Sequence, residues 1–374
     1  MFNHMKQHGT KDYEEFYTMA QQITGLYLYP IICILGLTGN MLSIIVMAQS
    51  KLQTSTNVYL AALACSDSIK LLNDLLYFIV ILLMKIDPVI ANALYGHLYP
   101  YAHFVFNVAM CNTAWLTVSV TVERYVYVCF PTRAKTLCTV RLARKVCACV
   151  FVVMTGLAIP NALRYKTVEI IDAKTNVTTL DVVVTALWKD DTFKIVFTWV
   201  QNLTRSVIPL LVLAVFNASI IQVLRRSRAN RKVPARKRIT VMLVCIVFVF
   251  LICVTPDAIL STFFGFGYNE ASFVVRGIRE YTDTLLAVNS AINFLLYCTF
   301  NKIFRLNFML IFCRRCYIDN KHSDVSRFNK LKFSKELSGK ISCTLKGSTI
   351  ICAKTTDSRR PCFRSSSGDK GTLV

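Results

Sequence analysis

Seven stretches of this chain stay apolar for longer than a bilayer is thick. A hydrocarbon core of about 30 Å takes roughly 20 helical residues to cross. The runs here cover residues 23–49, 58–84, 94–129, 140–162, 193–224, 239–264 and 272–300. In lipid every backbone donor and acceptor must be satisfied within the protein, so only helices or closed barrels can span it. The runs lack the period-two alternation of barrel strands. The expectation is an all-α membrane protein, a seven-transmembrane helix bundle. Composition agrees: 17% of residues are charged and the mean hydropathy is +0.47, against about 25% charged in soluble domains.

The formal net charge of +22 would suggest nucleic acid in a soluble chain. Here the basic residues lie between and after the apolar runs, so topology accounts for them and no nucleic-acid partner is expected. Arg225, Arg226, Arg228, Arg231, Lys232, Arg236, Lys237 and Arg238 separate runs five and six. Arg133, Lys135, Arg141, Arg144 and Lys145 separate three and four, and Lys51 lies between one and two. Basic loops stay in the cytoplasm. The alternate loops carry Asp87, Glu169, Asp172, Asp181, Asp190, Asp191 and Glu270, which places them and the N-terminus outside. The predicted organisation is an extracellular segment 1–22, the bundle 23–300, a membrane-surface segment 301–316 and a disordered cytoplasmic tail 317–374.

Met1 to Gln22 has no apolar h-region, so the first span is expected to act as its own insertion signal. Asn176-Val177-Thr178 is a glycosylation acceptor in an outer loop. None of the 15 cysteines falls in a segment assigned outside, so no structural disulfide is expected.

Polar groups within the runs carry the functional signal, because an ionisable side chain at bilayer depth costs about 2.5 kcal/mol or more and must face the bundle. Asn40, Asp67, Asn289, Ser290 and Asn293 are such groups. With Thr113, the set Asp67, Asn289 and Asn293 offers one carboxylate among neutral oxygens, the chemistry of a small hard cation such as sodium. The plainer reading is a hydrogen-bonded network that packs helices. Glu123-Arg124-Tyr125 closes the third run. Arg124 there can latch onto Glu123 in one state and release it in another, or simply snorkel to the interface.

In order along the chain stand Gly39-Asn40, Leu63-Ala64-Cys65-Ser66-Asp67, Glu123-Arg124-Tyr125, Pro209, Pro256 and Asn293-Phe294-Leu295-Leu296-Tyr297. This ordered set resembles the signature of the rhodopsin-like G-protein-coupled receptors, from about Gly39 to Arg305. The text around Glu123-Arg124-Tyr125 and Ser290 to Cys298 looks most like invertebrate FMRFamide-type neuropeptide receptors. Phe304-Arg305 resembles the start of the family's short amphipathic eighth helix. The resemblance implies a plasma-membrane receptor whose switch residues are Glu123, Arg124, Tyr125, Pro256, Asn293 and Tyr297, and whose inner loops meet a heterotrimeric G protein.

Four positions depart from the family pattern. Tyr99 stands where span three usually has its disulfide cysteine, Val150 near the usual tryptophan of span four, Val254 before the span-six proline and Phe294 in place of the span-seven proline. The first leaves the second outer loop without its covalent tether. The last two fall in the activation machinery.

Family geometry would line an outer cavity with Asp74, Tyr77, Phe106, Asn107, Met110, Arg205, Asp257, Glu280, Tyr281 and Asp283. Buried carboxylates need positive partners. A ligand arginine beside an amidated aromatic would suit Asp257 or Asp283 for charge and Phe106, Tyr77 and Tyr281 for stacking. Arg205 could instead pair with Asp257 internally, while Asp74 and Asp283 show no evident partner in the sequence. Phe106 occupies the place of the amine-binding aspartate, which argues against amines. A small aromatic amino acid stays open as ligand. A membrane transporter or channel is the rival class, although no inverted repeat is visible. No catalytic motif is present, so no enzyme is expected.

On the inner side, Cys313 and Cys316 flank Arg314 and Arg315 and are candidate palmitoylation sites that would add a lipid anchor. Ser365, Ser366 and Ser367 form a kinase-accessible cluster whose phosphorylation would favour arrestin. Thr372-Leu373-Val374 matches the terminus read by PDZ domains.

Overall fold

The computed structural model describes residues 13–49, 54–171, 178–226, 234–264 and 272–312. The chain begins with α1 (Tyr13–Met47), which contains a π-helical stretch, Gln22–Leu28. Helices α2 (Ser55–Ile86) and α3 (Pro88–Cys129) follow, joined by the single residue Asp87. That turn is sharp because the Asp87 carboxylate accepts from the Val89 and Ile90 N–H groups at 3.0 and 3.2 Å, with Pro88 at the first helical position. A short α4 (Pro131–Leu137) leads into α5 (Val140–Ala162), which Thr139 caps through the Leu142 N–H.

Next come a hairpin, β1 (Tyr165–Ile171) with β2 (Thr178–Val184), and the four-residue α6 (Ala186–Lys189). The strands are antiparallel, pairing Tyr165 with Val184 at one end and Ile171 with Thr178 at the other. Helix α7 starts at Asp191–Asn202, capped by Asp190, passes through a π turn, Leu203–Val207, and continues as Ile208–Arg226. Helices α8 (Pro234–Phe264), α9 (Phe273–Phe300) and α10 (Lys302–Phe312) complete the chain described.

The seven long helices match the seven apolar runs and pack as one bundle, with α10 as the short eighth helix. Six of them are long and apolar enough to cross a membrane by length and composition alone. Helix α2 is the exception, because Asp67, Lys70 and Asp74 sit on it. All three are buried, so they face the bundle and leave an apolar flank outward. Outward-facing apolar side chains such as Leu35, Val152 and Phe248 are each more than 60% exposed, a surface made for lipid rather than water.

Two apolar clusters hold the middle. Leu60, Leu63, Leu116, Val120, Val150, Met154, Tyr297 and Phe304 join α2, α3, α5, α9 and α10. Met110, Ala114, Leu213, Phe250, Val254 and Leu286 join α3, α7, α8 and α9. Helices α1 and α9 approach closely at Gly39, where an added Cβ would come within 2.8 Å of the Phe294 side chain.

Three features go beyond or against the sequence expectation. The segment between α5 and α7 carries a two-stranded sheet, for which the sequence pattern held no expectation. Helix α1 starts ten residues before its apolar run, so the segment expected to be an outer arm is partly bundle. A helical α4 occupies part of the loop after Glu123-Arg124-Tyr125. Asn176, Cys313, Cys316, the three-serine cluster and Thr372, Leu373 and Val374 lie outside the described residues, as do the side chains of the basic segment between α7 and α8 beyond Arg226.

Candidate functional site

At the hairpin end the helices part around a cavity of about 610 Å³, within the range of ligand sites. Helices α1, α2, α3, α7, α8 and α9 and strand β2 all contribute to its wall. Both π-helical stretches occur at this level, one just after Gln21 and the other containing Arg205. Such wide turns shift the phase of a helix and recur at functional sites.

The floor is built of ion pairs. Lys70 Nζ stands 2.5 Å from Asp74 one turn further along α2. Arg205 donates to Asp257 Oδ2 across α7 and α8 at 2.7 Å. Ser261 donates to the other Asp257 oxygen at 3.3 Å. Asn107 Oδ1 accepts from Gln201 at 2.5 Å and from Arg205 at 3.3 Å. The Phe106 ring lies between the two cations, 5.6 Å from Lys70 Nζ and 5.3 Å from the Arg205 guanidinium, both within cation–π range.

Asp74 therefore has a partner that sequence reading missed. Lys70 and Asp74 are an i,i+4 lysine–aspartate pair, a spacing that sequence alone can show. Arg205 and Asp257 meet as the internal pairing anticipated. Phe106 already holds two protein cations.

Glu280 is also engaged. Tyr77 donates to its Oε1 at 2.6 Å and Thr24 to its Oε2 at 3.1 Å. Asp283 differs. It lines the cavity within electrostatic reach of Asp257, Arg279, Lys70 and Glu280. It accepts no hydrogen bond and joins no ion pair within 4.0 Å among the described residues.

Two residues expected in the wall lie elsewhere. Met110, one turn below Phe106, is sealed into the apolar cluster with Phe250 and Val254. Tyr281 is 41% exposed on the far side of α9, next to a Glu280 that is 2% exposed. One residue turns a helix by about 100°, enough to swing a side chain from cavity to surface. Conversely, Tyr17, Gln21, Tyr99, Arg276 and Arg279 line the cavity and were not among the residues expected there, while His103, expected at the interface or in the pocket, lines it too. Tyr17 and Gln21 lie in the polar stretch before the first apolar run, where hydropathy carries no helix signal.

The hairpin is held to α3 without covalent help. Tyr165 packs on Tyr99 and His103 with ring centroids 5.0 and 5.1 Å away. Thr167 donates to the Gly96 carbonyl at 2.5 Å. Behind it, the Arg164 guanidinium sits 4.4 Å from the Trp188 ring, and Trp188 donates to the Pro160 carbonyl at 2.9 Å. Tyr99, in the place of the family's cysteine, supplies stacking where the family supplies a bond.

Towards the α10 end the chemistry becomes almost neutral. Asp67 accepts from Thr113 at 3.0 Å and from Asn293 at 2.8 Å. Asn40 donates to the Ser290 carbonyl at 3.0 Å, and Ser66 to the Ala109 carbonyl at 3.0 Å. Asn289 is buried one turn before Asn293. The carboxylate and the Thr113 hydroxyl oxygen could hold a monovalent cation, while Asn293 turns its N–H, not its oxygen, to Asp67. No group of three acidic, histidine or cysteine side chains that could hold a metal occurs among the described residues.

Glu123 and Arg124 do not pair directly. Both converge on Thr56, whose hydroxyl donates to Glu123 Oε2 at 2.8 Å and accepts from Arg124. Thr56, in the first turn of α2, was not among the residues expected there because nothing local marks it. Tyr125 packs edge-on against Phe216 of α7 at 4.8 Å. Tyr297 is fully buried against Phe304 at 5.6 Å. Phe294 packs on Phe304 and Phe308 at 6.1 and 5.6 Å, so it joins α9 to α10 where a proline would loosen the helix. Pro256 stands inside α8, one residue before Asp257.

A seven-helix membrane bundle with a cavity at one end and a buried arginine–threonine–glutamate cluster near the other is a receptor architecture. Residues 39–297 match the family of seven-transmembrane receptors of the rhodopsin type, more than half of the chain, and the chain belongs to that family. It is 29% identical over 305 residues to the FMRFamide receptor of Drosophila melanogaster, covering 77% of this chain and 53% of that protein. The chain thus spans about half the length of that relative. It is 26% identical over 313 residues to the probable G-protein coupled receptor frpr-1 of Caenorhabditis elegans, covering 79% of both. It is 23% identical over 322 residues to the sex peptide receptor of Drosophila melanogaster, covering 77% of this chain and 72% of that protein.

Proposed function

We propose that this chain is a plasma-membrane receptor for an amidated neuropeptide carrying a basic residue, and that it activates a heterotrimeric G protein. The hairpin end with its cavity faces outside, and the basic loops and α10 face the cytoplasm, as the lysine and arginine distribution requires. The observation that carries the ligand reading is Asp283. Lys70 neutralises Asp74, Arg205 neutralises Asp257, and Tyr77 with Thr24 satisfies Glu280. Among the described residues, Asp283 is the helix-borne cavity carboxylate left to meet a cation from outside; Asp181 of β2 also lines the cavity but is exposed. A buried carboxylate gains most from a paired, hydrogen-bonded partner, and an arginine side chain offers a planar fork of donors for it.

Asp283→Ala tests this in cells challenged with a library of amidated peptides. A rightward shift of tenfold or more in the response, at normal surface expression, is expected. An unchanged concentration dependence removes Asp283 from the site. Ligand-dependent nucleotide loading on a G protein, without solute flux, separates a receptor from a transporter or channel.

Arg279 and Asp283 stand one turn apart on α9, which also suits a zwitterion. A small aromatic amino acid is therefore the second reading, and free amino acids belong in the same screen. On the same receptor reading, Asp67, Thr113, Asn289 and Asn293 hold an allosteric sodium ion. Asn176 carries a glycan, Cys313 and Cys316 are acylated, and the tail recruits arrestin and a PDZ-domain protein.

A further inference from the structure

The wall of the cavity contributed by α1 carries one side chain whose chemistry is set by a relay of hydrogen bonds. Glu280 accepts the Tyr77 hydroxyl proton at 2.6 Å. The Tyr77 oxygen can then only accept from its other neighbour, and it does so from Gln21 Nε2 at 3.1 Å. The second Gln21 N–H goes to the Tyr17 oxygen at 3.0 Å, and Arg276 also donates to that oxygen at 2.9 Å. An inverted carboxamide would need the Tyr77 proton that the Glu280 carboxylate holds, and a carboxylate is the stronger acceptor. The orientation of Gln21 is therefore determined by its neighbours.

With both of its donors engaged, Gln21 presents Oε1 as a fixed acceptor. Gln21 lines the cavity. Its Oε1 meets no donor among the described residues, yet it is absent from the sealed, unpartnered buried atoms. It is thus an accessible acceptor on a residue of the cavity wall. Docking of α1 on α9 holds the arrangement still: Phe16 fills the space above Gly277, and the Arg276 guanidinium lies 4.3 Å from the Tyr17 ring.

We infer that Gln21 is a specificity-determining residue that accepts a hydrogen bond from a ligand's terminal carboxamide, and so selects amidated peptides over their free acids. This rests on the peptide reading above and deepens it. A carboxamide brings two N–H donors to the acceptor, whereas a carboxylate brings none and would oppose Gln21 Oε1 and Glu280 together. Arg276 and Arg279 also line the cavity and pull the other way, towards a free acid. The two arrangements therefore predict opposite preferences.

The probes are Arg-Phe-terminated peptides, each made as the C-terminal amide and as the free acid, applied to cells expressing the full chain. Wild type should prefer the amides by tenfold or more. Gln21→Met keeps the length and removes the acceptor. It should shift the amide curve rightward by about tenfold while leaving the free-acid curve in place, so that the preference collapses. Tyr77→Phe, which removes the oxygen that orients Gln21, should lower the preference in the same direction. If Gln21→Met fails to reach the surface, the amide-to-acid ratio of Tyr77→Phe decides.

Equal shifts of both curves, or an unchanged ratio at normal surface level, would overturn the assignment and leave a structural role for Gln21. A wild type that favours free acids overturns it too, while sparing the peptide reading. A wild type silent to every peptide overturns that reading and this inference with it.

Discussion

The two ends of the bundle solve the problem of buried polarity in opposite ways. At the hairpin end two charge pairs, Lys70 with Asp74 and Arg205 with Asp257, are wrapped around one aromatic ring. Towards the α10 end a single carboxylate, Asp67, sits among neutral donors, and Arg124 meets Glu123 only through a threonine hydroxyl. Removing one member of a buried ion pair costs about 3–5 kcal/mol, whereas a hydrogen bond between membrane helices is worth about 0.6 kcal/mol on average. The first arrangement resists rearrangement and the second tolerates it. A cavity must keep its shape to recognise a ligand, while a switch must exchange partners cheaply. The distribution of charge along the bundle therefore divides the receptor into a rigid half and a labile half.

The contrast can be broken most forcefully at Arg205. Arg205→Ala leaves Asp257 buried without its cation and should cost about 3–5 kcal/mol of stability, read as a lowered melting temperature in detergent and reduced surface expression. The double change Arg205→Met with Asp257→Leu removes both charges and should recover most of the loss. A single variant as stable as wild type would show that the pair contributes nothing to rigidity. The hairpin tether comes next in size. Arg164→Ala removes the cation from the Trp188 and Tyr165 rings and should cost about 1–2 kcal/mol, seen as a several-fold loss of ligand potency. Wild-type response should survive dithiothreitol, because stacking and hydrogen bonds, not a disulfide, hold the hairpin; a response abolished by reduction would contradict this. The smallest effect belongs to the labile half. Thr56→Val deletes the hydroxyl between Glu123 and Arg124, a change of about 1 kcal/mol. It should raise ligand-independent nucleotide exchange a few-fold, and a basal rate equal to wild type would show that the threonine does not restrain the arginine.

Much of the fold could be read before any coordinates. The boundaries of α5 coincide with the fourth apolar run, those of α2 and α9 lie within three residues of theirs, and α3 begins six residues before its run. The hairpin was not legible, because Tyr165–Ile171 and Thr178–Val184 become strands by packing on α3 at Gly96 and Tyr99, a surface that no local pattern announces. The site was legible in its residue types more than in its partnerships. Asp74 looked unpaired, yet Lys70 holds it. Tyr281 looked available for stacking, yet the phase of α9 turns it outward.

Hydropathy and charge along the chain are enough to set the number of membrane helices and which polar side chains must turn inward. Lipid imposes those constraints on each segment separately, so segment-by-segment reading suffices. Which inward group meets which is set by packing between helices: Gln21 with Tyr77, Glu123 and Arg124 with Thr56, and Asp283 with no hydrogen-bonding partner among the described residues. Those outcomes depend on helix phase, shifted in α1 and α7 by π-helical turns, and on neighbours far away in the chain. A contact between two helices is a property of neither helix alone.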